Sequence, residues 1–273
     1  MTINCKGNLI DLSTPKVMGI LNITPDSFYD GGNYKDEKSI LAQVEKMLAA
    51  GATFIDVGAY SSRPGADHVS VDEELQRILP VIRMLLNEFP GILLSIDTFR
   101  SQVAQQAIEA GAALINDISA GKLDHQMLPT IAKIRVPYIM MHMRGTPQNM
   151  HQLTDYQDVV LEVLQYFSER MSAARALGIY DLIIDPGFGF AKTVAQNYDL
   201  LKKLDLFQQL KAPLLAGLSR KSMIYKVLET TSENALNGTT ALHMIALDKG
   251  ASILRVHDVK EAMECVELSA QLK

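Results

Sequence analysis

The chain has 273 residues, 48% apolar and 21% charged, which is enough chain and apolar content for a sizeable core. Its net charge of -5 and lack of long basic runs argue against nucleic acid as a partner. Cys5 and Cys265 lie far apart without CxxC spacing, so they read as free thiols and not as a disulfide framework or zinc site. With Asn4, Lys6 and Asp11 near the N-terminus there is no apolar signal core, and no run reaches membrane-helix length, so a soluble cytoplasmic protein with no membrane partner is expected.

Residues 2–12 alternate around Lys6-Gly7-Asn8 and predict a short β-hairpin. A first long apolar strand follows over 17–22, and then Ile23 to Gly32, too rich in breakers for regular structure; long loops of this kind are usually functional. A helix is predicted from Ser39 to Ala50. From there one unit repeats: strand Phe54–Gly58, loop Ser61–Gly65, helix Asp72–Glu88; strand Leu93–Asp97, helix Ser101–Ala110; strand Leu114–Asp117, helix Asp124–Ile134. Strand Tyr138–His142 precedes the longest helix, Asp155–Leu177, and strand Leu182–Asp185 precedes helix Val194–Leu204. Strand Pro213–Gly217, helix Ser232–Lys249, strand Ile253–Val256 and helix Val259–Leu272 complete the series. The helix stripes carry a 3.6 period, the strands are apolar on both faces, and Gly51, Gly111, Gly178 and Gly250 stop helices before return strands. Eight such units with no linker predict one domain over 1–273, a single-domain α/β (β/α)8 TIM barrel with an N-terminal β-hairpin.

Polar residues gather where such a barrel builds its sites. Asn22, Asp56, Asp97, Asn116, His142, Asp185 and the Arg255/His257 pair fall at the C-terminal ends of different strands, which in a barrel share one face. A lone strand-end Asp is more often a cap or an ion-pair partner, so the signal is the constellation. Asp97, Asn116 and Asp185 offer acceptors and an amide to the donor-rich edge of an amino-pyrimidine heterocycle. Lys221 reads as a donor to that ligand or as a solvated loop lysine. Arg63, Arg220, Arg255 and His257 concentrate cations on one rim and suggest an anion such as a diphosphate; for Arg255 an ion pair with a carboxylate is an equal reading. Asn22 offers one carbonyl oxygen to a metal, suited only to an ion such as Mg²⁺ that keeps most of its waters. His142 and His151 lack metal-ligand spacing and read as ordinary polar residues. The stretch Leu182 to Lys192 by itself reads equally as a capped turn with two core aromatics or as a site with Lys192 beside Asp185. Ser-His-Asp, P-loop and Rossmann patterns are absent from the sequence.

The blocks Met18-Gly19-Ile20-Leu21-Asn22-Ile23-Thr24-Pro25-Asp26-Ser27-Phe28, Ser62-Arg63-Pro64-Gly65, Ser95-Ile96-Asp97-Thr98, Ile115-Asn116-Asp117-Ile118, Met141-His142-Met143-Arg144-Gly145-Thr146-Pro147, Asp185-Pro186-Gly187-Phe188-Gly189-Phe190, Gly217-Leu218-Ser219-Arg220-Lys221-Ser222 and Arg255-Val256-His257-Asp258-Val259 together resemble dihydropteroate synthase. The resemblance implies a folate-pathway enzyme joining 6-hydroxymethyl-7,8-dihydropterin diphosphate to 4-aminobenzoate, with Mg²⁺ as cofactor and a homodimeric assembly. It implies that Asp97, Asn116, Asp185 and Lys221 hold the pterin, that Met141 belongs to the substrate-binding residues, that Asn22 helps bind Mg²⁺, and that Arg63, Arg255 and His257 take the diphosphate. Ser62, Pro64, Phe190, Ser219, Arg220 and Lys221 would line the aminobenzoate and sulfonamide site, and Asp30 would face a cationic pterin methylene.

The sequence departs from the family pattern at Ala59-Tyr60, where Gly-Glu is usual, at Ser62 for Thr, and at Ala191 for Gly. These changes bear on the second loop and the aminobenzoate pocket. The rival reading is a corrinoid-type pterin methyltransferase module, which shares the Asp/Asn pterin contacts but has no need of the Ser219–Ser222 block or the diphosphate cations. A barrel that only binds pterin is the other rival, opposed by Asn22, Asp30, Arg63, Arg255 and His257.

Overall fold

The apolar runs become strands buried on both faces, because each is short, rich in Ile, Leu and Val, and covered by helices outside and side chains inside. In the computed structural model, which describes residues 1–23, 34–60 and 69–272, these are β3 (Lys16–Asn22), β4 (Phe54–Gly58), β5 (Leu94–Asp97), β6 (Leu114–Asp117), β7 (Tyr138–Met141), β8 (Leu182–Asp185), β9 (Leu215–Ala216) and β10 (Ile253–Val256). They pair in parallel in the order β8-β7-β6-β5-β4-β3-β10-β9. The two edges meet at a bridge between Ile184 and Leu214, where the Ile184 N–H donates to the Pro213 carbonyl at 3.0 Å. The predicted barrel is thereby nearly closed. The seam also explains why β9 is shorter than its apolar run: Pro213 has no N–H for the ladder.

Side chains alternate along each strand. Val17, Leu21, Ile55, Val57, Leu94, Ile96, Ile115 and Ile184 face outward into the core shared with the helices. Met18, Phe54, Leu114, Ile139, Ile183, Leu215 and Ile253 fill the lower barrel. The predicted hairpin, β1 (Thr2–Cys5) with β2 (Asn8–Asp11), turns at Lys6 and Gly7, both with positive φ of 54° and 83°, as a two-residue hairpin loop requires. Its Ile3 and Cys5, with Leu12, join that interior cluster and plug the bottom. Each such buried aliphatic side chain contributes about 1.5–3 kcal/mol.

Several boundaries move inward for local reasons. Asp124 is spent on the Ser101 N–H at 2.7 Å and the Gln126 N–H at 2.8 Å, so the next helix is Met127–Ile134. Asp158 caps its helix by accepting from Val160 and Leu161, giving Val159–Ala176. The helix expected from Ser232 begins at Leu236. A four-residue helix, Ser222–Tyr225, and a 3-10 turn, Leu204–Leu210, are additional. No helix among the described residues is long and apolar enough to cross a membrane.

Candidate active site

Above the apolar layer the next inward positions of the strands are polar. Asp56 of β4, Asp97 of β5, Asn116 of β6 and Arg255 of β10 form one group. Arg255 Nε donates to Asp56 Oδ2 at 2.6 Å and Nη2 to Asp97 Oδ2 at 2.8 Å, while Asn116 Nδ2 donates to the same Asp56 oxygen at 3.0 Å. Of the two readings of Arg255, the ion pair is the one the geometry displays. Two carboxylates around one guanidinium leave the floor acidic and rich in acceptors. Burial pushes Asp97 up to about 7, with Arg255 pulling the other way. Burial also works against the Arg255 charge, but Asp56 and Asp97 raise its pKa above the ordinary value.

Asp185 ends β8 and is 4% exposed; its Oδ1 accepts from the Gly187 N–H at 2.8 Å. Burial raises its pKa, with the Lys221 charge opposing. Lys221 is half-buried, so it is not a solvated loop lysine. Burial pushes it down to about 8 against the attraction of Asp185. Its ammonium donates to the Phe188 carbonyl and sits 4.6 Å from the Phe190 ring centroid. A Cβ on Gly217 would stand 3.7 Å from Asp185 Oδ2 and 3.8 Å from Lys221 Nζ, so this glycine keeps the space between the two groups open.

The Pro186–Lys192 turn is tightly determined. Gly187 has φ +69°, and a Cβ there would meet the His142 carbonyl oxygen at 2.1 Å; only glycine fits. Lys192 does not pair directly with Asp185. Its Nζ donates to the Gly187 and Phe190 carbonyls, each at 2.9 Å, and lies 3.0 Å from His142 Nδ1. Both side chains are buried, and burial lowers the pKa of each. His142 is therefore more than an ordinary polar residue. Met141 lines the inner face beside it, in a cluster with Met143, Met150 and Ala191 against which Phe190 packs.

At the rim, Ser219 Oγ lies 3.0 Å from His257 Nδ1 and accepts from the His257 N–H at 3.1 Å. Arg220, one of the rim cations read from sequence, has partners of its own. Its guanidinium is committed to Asp258 at 2.7 and 2.8 Å and to the Ser232 carbonyl at 2.9 Å, so it braces the Ser219–Lys221 turn and does not point a free cation into a pocket. Asp30, Ser62, Arg63 and Pro64 lie outside the described residues. The base of the second loop is described: Tyr60 packs edge-on against Phe99 with centroids 5.1 Å apart and lies 5.2 Å under the Arg100 guanidinium. Arg100 in turn binds the buried Glu74 and the Val69 carbonyl at 2.6 and 2.5 Å. Tyr60, where an acid is usual, thus meets Arg100 through its ring.

Among the described residues no cluster of three His, Cys, Asp or Glu side chains could hold a metal. Asn22, at the end of β3, is half-buried beside Gly58, where a Cβ would stand 3.7 Å from Asn22 Oδ1 and 3.5 Å from the Asp97 Cβ. A single carbonyl oxygen fits only an ion that brings most of its own ligands, as Mg²⁺ does. A cleft of about 360 Å³ opens beside the barrel, between Lys122, Arg144 and Tyr166, with His142 in its wall.

This arrangement has relatives. The pterin-binding enzyme family matches residues 18–257, and the dihydropteroate synthase of Escherichia coli (strain K12) is 43% identical over 270 residues, covering 98% of this chain and 95% of that protein. The chain belongs to the dihydropteroate synthase family. The Yersinia pestis dihydropteroate synthase in a sulfonamide drug complex superimposes with a TM-score of 0.93 at 42% identity, covering 100% of this chain and 99% of that one. The Xanthomonas albilineans dihydropteroate synthase in complex with 7,8-dihydropteroate does so with a TM-score of 0.89 at 37% identity, over 100% and 98% of the two chains. Of the polar strand ends gathered by sequence, Asp56, Asp97, Asn116 and Arg255 form one hydrogen-bonded inward layer, whereas His142 faces Tyr166 on the helix Val159–Ala176. Asp56 stood among the strand ends gathered by sequence but without a role; in the barrel it accepts from both Arg255 and Asn116. The Lys192–His142 contact spans 50 residues of sequence and left no local signal.

Proposed function

We propose that the protein condenses 6-hydroxymethyl-7,8-dihydropterin diphosphate with 4-aminobenzoate, giving 7,8-dihydropteroate and diphosphate. The observation that carries this reading is the convergence of Asp97, Asn116, Asp185 and Lys221 at the barrel mouth. Carboxylates and an amide accept from the amino-pyrimidine edge, and the lysine donates to a carbonyl or ring nitrogen at the other side of the same heterocycle. The bound 7,8-dihydropteroate of the Xanthomonas relative supports it.

The bond between the pterin methylene and the diphosphate oxygen breaks with its electron pair leaving on diphosphate. The electron-rich ring carries the resulting cation, the arylamine nitrogen donates its lone pair to the methylene, and its proton passes to water. The arylamine is already nucleophilic, so the site needs no strong base. Its work is orientation, charge stabilisation and exclusion of water. In this reading Arg63 and His257 meet the diphosphate, Asp30 faces the methylene cation, and Phe190 with Ser62, Pro64 and Ser219 borders the aminobenzoate. Asn22 would help hold Mg²⁺, which neutralises charge on the leaving diphosphate.

Purified protein incubated with the pterin diphosphate, 4-aminobenzoate and Mg²⁺ is expected to release diphosphate and form dihydropteroate, followed by chromatography. Folded protein that forms neither under these conditions would sink the reading.

A further inference from the structure

The turn after β8 directs three carbonyl oxygens at two lysines. Lys221 takes that of Phe188 from the mouth side, and Lys192 takes those of Gly187 and Phe190 from beneath. The third direction of the Lys192 nitrogen meets His142 Nδ1, and the His142 ring is itself wedged edge-on against Tyr166 at 4.8 Å and 82°. Tyr166 is pinned in turn, donating to the Ser119 carbonyl at 2.8 Å and the Met141 carbonyl at 3.2 Å. The rest of the turn is tied by Asn197, whose Oδ1 accepts from the Gly189 N–H at 2.7 Å and whose Nδ2 donates to the Lys192 carbonyl at 3.3 Å.

A lysine 8% exposed is an expensive way to fill space, because taking its charge out of water costs more than burying a Leu or Met there would. It does what those residues do not: it donates to the Phe190 carbonyl, and it adds a second donor to the Gly187 carbonyl, which also accepts from the Phe190 N–H at 3.1 Å. Glycines give this turn its shape but no rigidity of their own. The Phe190 ring projects from the residue whose carbonyl Lys192 holds, and Lys221 stands over that ring.

We propose that Lys192 is a positioning residue for the condensation, fixing Phe190 as the wall of the arylamine site from beneath the turn. This rests on the proposed function in assigning the arylamine to Phe190. The floor formed by Asp56, Asp97, Asn116 and Arg255 has its own hydrogen bonds, so this part of the pterin site keeps its shape when Lys192 loses its donors, while Asp185 and Lys221 keep their own bonds to the Gly187 N–H and the Phe188 carbonyl.

The test uses Lys192→Met, which keeps length and removes the donors, and Lys192→Arg, which keeps them. Read out are KM for 4-aminobenzoate at saturating pterin diphosphate, Kd of the pterin diphosphate by calorimetry, and the thermal midpoint. Loss of both buried hydrogen bonds predicts a rise in arylamine KM of roughly tenfold or more in Lys192→Met, with pterin diphosphate Kd within about threefold and substantial recovery in Lys192→Arg. An unchanged KM overturns the proposal. So does a parallel loss in KM, Kd and midpoint that Arg does not recover, which marks a packing role only. Should Lys192→Met not fold, the same measurements are made on Lys192→Gln, whose amide keeps one carbonyl partner and gives up the other, so a smaller rise in arylamine KM is expected and an unchanged KM overturns the proposal. Inactivity of the unsubstituted protein counts against the proposed reaction, whereas an active parent with an unshifted Lys192→Met counts against Lys192 alone.

Discussion

Arg255 shows how one side chain changes meaning between sequence and structure. On a rim of cations it reads equally as an anion receptor or as a carboxylate's ion-pair partner; in the barrel it is clasped by Asp56 and Asp97. Removing it leaves Asp56, 0% exposed, as an uncompensated buried charge, and breaking such a pair costs about 3–5 kcal/mol. Arg255→Ala is therefore expected to lower stability by that order in urea unfolding. It is also expected to weaken a phosphate-free pterin by roughly tenfold or more, because Asp97 loses the partner that orients it. Undiminished binding of that pterin would show instead that Arg255 serves the diphosphate alone.

At the scale of the element, the turn from Pro186 to Lys192 sets opposing small effects against each other. Ala191, where the family usually has glycine, holds φ +49°, at a cost of about 1–2 kcal/mol for a residue with a Cβ. Its methyl is 2% exposed in the Met141 and Met143 cluster, and burying it returns about 0.8 kcal/mol. Glycine would also cost about 0.4–1 kcal/mol through the unfolded chain. The terms nearly cancel, so Ala191→Gly is expected to shift stability by less than about 1 kcal/mol. Gly187→Ala has no such compensation, with the His142 carbonyl 2.1 Å from the new Cβ; strain and overpacking predict a loss of roughly 2–5 kcal/mol. Equal unfolding midpoints for these two variants would contradict the account of the turn.

Across the whole molecule, pH acts through groups outside the site as well. His243, on the helix Leu236–Asp248, is 1% exposed with neither ring nitrogen hydrogen-bonded, and burial pulls its pKa from 6.5 down to about 4, with Asp258 opposing. Between those values the unfolded chain binds a proton that the folded chain refuses. The contribution of His243 is complete above about pH 6.5 and is lost as pH falls toward about 4, with a slope approaching 1.4 kcal/mol per pH unit. His243→Leu is expected to flatten that slope by up to one proton when urea midpoints are compared at several pH values in this window. Parallel curves for variant and parent would refute it.

The barrel was legible because its periods are local: apolar strands alternating with 3.6-period helices, four of them stopped by a glycine, leave few topologies open. The site was legible as a set, since the C-terminal ends of barrel strands share one face. Residues 2–12 likewise announced a hairpin, but nothing local said that Ile3 and Cys5 plug the barrel bottom. What each charged side chain does there was decided only by tertiary structure. Arg255 lies 199 residues from Asp56, Arg220 lies 38 from Asp258, and Lys192 lies 50 from His142. Such pairings come from barrel closure and inter-strand register, which determine the contacts of a long side chain, whereas the sequence by itself determined only that polar groups would crowd the strand ends.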